Sequence, residues 1–530
     1  MIAAVLIALL LQAAPPLTAA AEPKPGAIRG RITAGDTGTP LRRVRVNIQR
    51  AIDPGARITA STNSQGQFEA KNVPPGSYYV SAARAGYLTT QYGQRRPLER
   101  GLIVDVGEAA VVDKIDLALA RAGVIAGRIT DELGEPYPGV SVDALGTRYE
   151  LGKRVPSPAG GATTDDLGHY RIVGLPPGTY YVVASSPETW RTEKQESFGY
   201  ASTYYPGGPV DLAQFVTLGA SQQRTDLDFS LNASRTARIT GRVQSETGEP
   251  VAAPQVTLAY SFPGLVMTAG MRTVRGAGDG SFEIKDVSPG NYVVLGGGED
   301  RPVSVAGADI EDLTLVRKTG STVSGTLVTD EDARPAFQPS GIRVLLVAPT
   351  GRVLPTVRVV SFEPDWSFKM ASLGGPFLFR MIGLPDSWTL RSVKLDDRDI
   401  TDTPWDVPTG GKQIGGMKMV ITQKIGRVSG SVVDEAGQPT VNATIVVFAE
   451  DESLWMPGSR FVRFTRPARD GTFSISGLPA GTYRAVARSY VEDGQWEDRA
   501  FLEEVRDSGA RFALTDGGSH TLNLKVPAVR

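Results

Sequence analysis

Apolar residues recur at every second position in short runs along most of the chain. Ile115, Leu117 and Leu119 form one such run, and Leu227, Phe229 and Leu231 another. After Gly66, Gly168, Gly280 and Gly471 the same alternation sets Phe68, Tyr170, Phe282 and Phe473 on one side. A period of two belongs to a strand with one buried face. Helical spacing is scarce, and the single candidate is "DRAFLEEVRDSG", Asp498 to Gly509, with a glycine placed to cap its end. The chain reads as all-β.

The runs are organised by two recurring anchors. The opening anchor is apolar-x-Gly-x-apolar, then a polar turn and a proline. It begins at Ile28, Ile125, Ile239, Val323 and Val428, and its glycines, Gly30, Gly127, Gly241, Gly325 and Gly430, lie 97, 114, 84 and 105 residues apart. Such intervals are those of single domains. The closing anchor joins a glycine turn to two strands through a proline-rich corner: "VPPGSYYV" at Val73, "LPPGTYYVV" at Leu175, "VSPGNYVV" at Val287 and "LPAGTYRAV" at Leu478. The fourth copy diverges, with Trp366 at the glycine position and "LGGPFLFRM" for the corner. Each copy then closes on a second pair of short strands, expected to form a hairpin, as in the segments from Ile103, Phe215 and Phe512.

At the corner the prolines cannot continue a ladder because they lack an N–H, and Gly178 is expected to take a positive φ that reverses the chain. Tyr78, Tyr180, Tyr292 and Tyr483 follow their glycines by two residues, where β-sandwiches place a tyrosine whose ring is buried and whose hydroxyl bonds nearby backbone. These four are read as structural.

Length and composition fit this picture. At 530 residues the chain exceeds what one core supports, which is roughly 250 to 300 residues. Sixty glycines and 37 prolines are rich in turns, while 41% apolar residues suffice to fill cores. Fifty-six basic and 57 acidic side chains leave a net charge of −1, without the basic block that nucleic acid attracts. The first 21 residues, an apolar run ending in small residues, have the layout of a secretory signal peptide cleaved near Ala21, though without a basic start; Pro15 and Pro16 cut the run short of a membrane span. No cysteine occurs, so disulfides, thiolate nucleophiles and cysteine zinc sites are excluded. A disulfide-free exported chain fits a bacterial periplasm or surface.

Sites of chemistry are few. His169 and His520, the two histidines, stand in strand or hairpin patterns, so a two-histidine zinc site or a Ser/His/Asp triad would have to recruit one from such a position, and both are read as structural or exposed. "DTG" at Asp36 and "DSG" at Asp507 occupy turn and helix-end positions rather than the strand ends an aspartic dyad requires, and no phosphate or dinucleotide loop is present. The acidic turns at Thr164 and Thr329 offer few of the six to eight oxygens calcium takes. No catalytic residue, metal or cofactor is assigned. The feature most like a binding surface is aromatic: Trp190, Tyr200, Tyr204 and Tyr205 in the polar stretch after the second corner, with Tyr87 and Tyr92 in the matching place of the first. Exposed, these rings would stack on sugars or anchor a protein; otherwise they cover a sandwich end or fill a junction between domains.

On both anchors together the chain resembles the carboxypeptidase regulatory-like family, the transthyretin-like (prealbumin-like) β-sandwich repeats of many exported bacterial proteins. The resemblance implies a seven-stranded, Ig-like Greek-key sandwich per unit, non-catalytic and grouped with carbohydrate-binding-like folds; no peptidase domain accompanies it here. The expected organisation is a signal peptide (1–21) and five tandem β-sandwiches (22–121, 122–233, 234–318, 319–423 and 424–530), an extended string on the order of 150 Å at roughly 30 Å per unit. The expected role is a secreted, periplasmic or cell-surface spacer whose partner is a protein or polysaccharide of the envelope. A carbohydrate-binding accessory protein is the alternative, and a hydrolase with an Asp/Glu pair at a domain junction a third.

Overall fold

The computed structural model describes residues 24–51, 57–97, 99–262, 265–296, 298, 300–339, 341–348, 358–396, 398–468 and 470–527; the proposed signal peptide lies outside them. The chain divides into two compact units, Met1–Ala82 with Ile103–Ala118, and Ala83–Leu102 with Leu119–Arg530. Both are built of tandem β-sandwich structure, one sandwich in the smaller and four in the larger.

The second sandwich shows the plan. Its opening strand, Gly123–Thr130, is central in one sheet, antiparallel to His169–Leu175 and parallel to the short strands Gln223–Arg224 and Phe229–Ser230. In the facing sheet Ser141–Glu150 lies between Lys153–Thr163 and Gly178–Ser185. Ile125, Ile129, Val142, Tyr170, Tyr180, Val182 and Leu227 fill the space between. The opening strands Gly26–Ala34, Ala237–Ser245, Ser321–Thr329 and Gly426–Val433 repeat the antiparallel-plus-parallel pairing.

The closing strand pairs are not hairpins. Val216–Leu218 joins Gly178–Ser185 in one sheet, whereas Gln223–Arg224 joins the opening strand in the other. In the last sandwich Ala510–Leu514 and Ser519–Lys525 divide in the same way. The apolar residues of both strands thereby face one core from opposite sides, an arrangement that alternation alone does not distinguish from a hairpin.

The glycine of the opening anchor is set by a close approach. Gly30, Gly127, Gly241, Gly325 and Gly430 stand directly opposite Phe68, Tyr170, Phe282, Phe368 and Phe473 on the neighbouring strand. A Cβ at Gly30, Gly127, Gly241 or Gly325 would lie 2.0 Å from a backbone carbonyl oxygen of the parallel-side segment, and at Gly430 1.7 Å from that of Leu522. Only a bare Cα lets that segment close in, and the ring opposite covers the space a side chain would have filled. At the turns before these aromatic strands Gly66, Gly168, Gly280 and Gly471 have φ of 74°, 74°, 80° and 79°. Trp366 holds φ 68° at the same position of the fourth sandwich, its indole buried against Phe337 and Phe362. Core packing of the indole offsets a backbone conformation that a bulky residue rarely adopts.

The corner passes the chain between sheets: Leu175 ends a strand of one and Gly178 begins a strand of the other. Gly178 does not take a positive φ, contrary to expectation, whereas its counterparts Gly76, Gly290 and Gly481 do, at 152°, 158° and 159°, where side chains are rarely found. In the second sandwich the prolines and the change of sheet make the corner without it. Four residues after each acceptor, a tyrosine hydroxyl donates back to the corner carbonyl: Tyr78 to Pro74 (2.6 Å), Tyr180 to Pro176 (2.5 Å), Tyr292 to Ser288 (2.8 Å) and Tyr483 to Pro479 (2.7 Å). Burial pushes the Tyr180 phenol up to about 12 and holds Tyr483 well above the usual range. Tyr483→Phe keeps the ring and deletes the bond, leaving the Pro479 carbonyl without this donor. Loss of about 1 kcal/mol is expected, read as a lower midpoint for the last sandwich in thermal unfolding of the full chain; an unchanged midpoint would remove the structural role.

Among the described residues one α-helix occurs, Arg499–Arg506. Asp498 caps its start by accepting from the Ala500 N–H, and Phe501, Leu502 and Val505 pack beneath it on Val446, Phe448 and Val486. It ends on Asp507 in right-handed conformation, and Gly509 donates to the Arg506 carbonyl without a positive φ, so the expected glycine cap is absent.

Candidate functional site

The stretch after the second corner forms its own small sheet, Thr189–Arg191, Ser197–Ala201 and Asn232–Arg235. Cross-strand pairing puts Trp190 opposite Phe198, with ring centroids 6.2 Å apart, and Tyr200 stands 5.0 Å from both Trp190 and Tyr137. The Tyr200 hydroxyl donates to Glu132 at 3.0 Å, and Tyr137 donates to Glu188. Tyr204 is only 1% exposed and Tyr200 5%. Neither ring stands out as an exposed platform; both edge the cleft described below. Tyr205 packs edge-on to Phe229 at 6.0 Å, and Tyr87 lies beneath the guanidinium groups of Arg84 and Arg121 at 5.6 and 5.4 Å. The Tyr92 carbonyl accepts from Leu102. The structure thus packs Trp190 and Tyr205 on the same core as Tyr200, and brings Tyr200 and Tyr204 to one cleft.

Tyr204 instead reaches the third sandwich, its hydroxyl 3.0 Å from that of Tyr260, which in turn packs edge-on to Tyr292 at 5.5 Å. Beside this contact, between the second and third sandwiches, opens a cleft of about 640 Å³. Leu145, Val183, Leu258 and Met271 give it apolar walls, and Tyr204, Tyr260 and Tyr292 aromatic ones; two carboxylates, Asp143 and Asp286, and one cation, Arg272, also line it. Asp143 is half-buried, and loss of hydration raises its pKa against the opposing effect of Ser141. Sequence reasoning missed Asp143, Tyr260 and Asp286. An aspartate at an outward strand position looks like a solvated one, and the only signal was the apolar Leu145 and Val183 on the same outward face.

A second concentration of charge joins the fourth and fifth sandwiches. Arg460 clamps Asp402 with two bonds (2.9 and 2.5 Å) and donates to the carbonyls of Leu390 and Arg391. Arg380 approaches the same carboxylate at 3.6 Å and bonds the carbonyls of Thr401 and Gly458; burial lowers its pKa to about 10. Asp402 stands in the divergent segment of the fourth sandwich, after an added strand, Thr389–Leu395. Further contacts are not between successive sandwiches. Arg154 of the second reaches Glu492 of the fifth at 2.7 Å, and Arg466 of the fifth pairs with Glu99 at 3.1 Å. A string in which only neighbours touch, and the length near 150 Å derived from it, therefore does not describe the larger unit.

The remaining candidates are accounted for locally. Asp165, in the acidic turn at Thr164, accepts from the Leu167 and His169 N–H groups, and Asp330 accepts from the Thr422 hydroxyl. His520 stacks on Phe512 at 5.0 Å, and Asp507 closes the helix. Among the described residues no three His, Asp or Glu side chains converge as a metal site would require, and no helix is long and apolar enough to cross a membrane.

A sandwich opened by a glycine under an aromatic ring, turned at a proline corner and locked by a tyrosine, then repeated along one chain, defines a tandem all-β repeat protein. The chain belongs to the carboxypeptidase regulatory-like domain family, whose model matches residues 27–118, 124–232 and 427–515. No curated protein matches it in sequence. Among solved structures it is similar to a streptococcal ancillary pilin (12% identity, 55% of this chain and 98% of that one, TM-score 0.21). It is also similar to the Bacillus anthracis TIE protein (11%, 93% and 75%, 0.17) and to the minor pilin GBS52 of Streptococcus agalactiae (16%, 39% and 95%, 0.22).

Proposed function

We propose that the chain is an exported, non-catalytic scaffold of the cell envelope, built of five sandwiches bounded near residues 121, 233, 318 and 423, in which the junctions of the larger unit hold a binding surface for an envelope protein or polysaccharide in fixed geometry. The observation that carries this reading is how the junctions are built. Arg460 on Asp402, Tyr204 on Tyr260 and Arg466 on Glu99 are dedicated side-chain contacts between sandwiches or with the segment Ala83–Leu102. A flexible tether has no use for such contacts, whereas a rigid spacer requires them. The family contributes a regulatory-like domain rather than a peptidase. The sugar-binding alternative would have to use Tyr200 and Tyr204 from within the cleft they line rather than from an open surface. A hydrolase would draw on Asp143 and Asp286, and Asp286 is already bonded to Ser197 at 2.6 Å.

Fractionation of producing cells, with cross-linking before lysis, tests the proposal. The expected result is a chain lacking residues 1–21 in the periplasmic or surface fraction, cross-linked to a recurrent envelope partner. An uncleaved chain confined to the cytosol would contradict it.

A further inference from the structure

The cleft between the second and third sandwiches contains a carboxylate that the protein does not neutralise. Among the described residues the polar side-chain partner of Asp143 is Ser141, at 3.2 Å. Arg272, the one cation lining the cleft among the described residues, donates to the carbonyls of Asp286 and Lys285 at 3.0 and 2.5 Å. Asp286, the other carboxylate, is held by the Ser197 hydroxyl. A half-buried carboxylate without a cation is costly to the fold, and that cost falls when a cation arrives. The surroundings specify what kind. Leu145, Val183, Leu258 and Met271 provide apolar surface for methylene groups, and the rings of Tyr204, Tyr260 and Tyr292 favour a positive charge near them.

We propose that this cleft binds an aliphatic ammonium, its primary amine on Asp143 and its methylene chain against Leu145, Val183 and Leu258. A lysine side chain presented by a peptide and a free diamine share that chemistry. The proposal rests on the binding role above and gives it a ligand class. Its test is independent of where the protein resides.

Calorimetric titration of the purified full chain with 1,5-diaminopentane and with Nα-acetyl-lysine methylamide at neutral pH reads it directly. Saturable one-to-one binding of either is expected, at least tenfold weaker in Asp143→Asn, and absent for 1-pentanol, which keeps the methylenes and lacks the charge. Affinity should fall as pH is lowered through the raised pKa of Asp143, since the ionised form is the one that binds; Asp286 and Arg272 are the other charged groups facing the cleft. Binding of the lysine derivative identifies a peptide source, and binding of the diamine alone a free amine. No saturable binding of either, equal binding of pentanol, or undiminished binding by a folded Asp143→Asn would overturn the proposal.

Discussion

Gly430→Ala is expected to lower the stability of the fifth sandwich by at least about 3 kcal/mol, the upper part of the range for overpacking. The added Cβ would sit 1.7 Å from the Leu522 carbonyl oxygen, with the Leu522 carbonyl carbon at 2.7 Å and its nitrogen at 3.1 Å. All three are backbone atoms, so no rotamer change relieves the clash. The strand Ser519–Lys525 must move away from Gly426–Val433, and seven parallel register pairs join the two. Gly437→Ala is the control: a Cβ there meets nothing within 4 Å, and only its φ of 80° is unfavourable, at roughly 1 kcal/mol. Thermal unfolding followed by far-ultraviolet circular dichroism separates the two, and equal effects would mean that close approach does not explain the anchor glycine.

Asp402→Ala is the second large effect expected. It removes the carboxylate between Arg460, which is 9% exposed, and Arg380, leaving two buried guanidinium groups facing each other, with the half-buried Arg463 adding its positive charge nearby. Breaking a buried pair by removing one partner costs about 3 to 5 kcal/mol, most of it the uncompensated charge. The loss should appear in the unfolding of the fourth and fifth sandwiches and spare the second and third. Adding Arg460→Met should recover part of it, because the double variant buries one charge fewer. A loss in the double variant equal to the sum of the two single ones would show that the residues are not coupled.

The repeat was legible in the sequence because its signals are steric and local. A glycine under a neighbouring carbonyl and a proline corner admit few substitutes, so all five copies keep the glycine and four keep the corner. The fourth copy shows the limit: Trp366 replaces a glycine, yet the turn persists with φ 68° because the indole fills the core. Phe377 stands there in the place of the corner tyrosine, buried and without a hydroxyl. Less legible were features set by which sheet a strand joins. Val216–Leu218 and Gln223–Arg224 carry the alternation of a hairpin and part company between sheets. The aromatic stretch was found, but not whether its rings face solvent or a junction, since the Tyr204 hydroxyl meets its partner on Tyr260, 56 residues away. The cleft was hidden for the same reason. Asp143 acquires its surroundings only when residues 258 to 292 are folded beside it.

Amide hydrogen exchange on the full-length Gly430→Ala variant tests most directly whether the chain is a series of like sandwiches, each with its own core. Loss of protection should be confined to residues from Gly426 to Val526 and the edges that touch them, with the opening strands Gly26–Ala34, Gly123–Thr130 and Ala237–Ser245 exchanging as slowly as in the unaltered chain. Accelerated exchange spread evenly over all five opening strands would mean one cooperative core and would contradict the account.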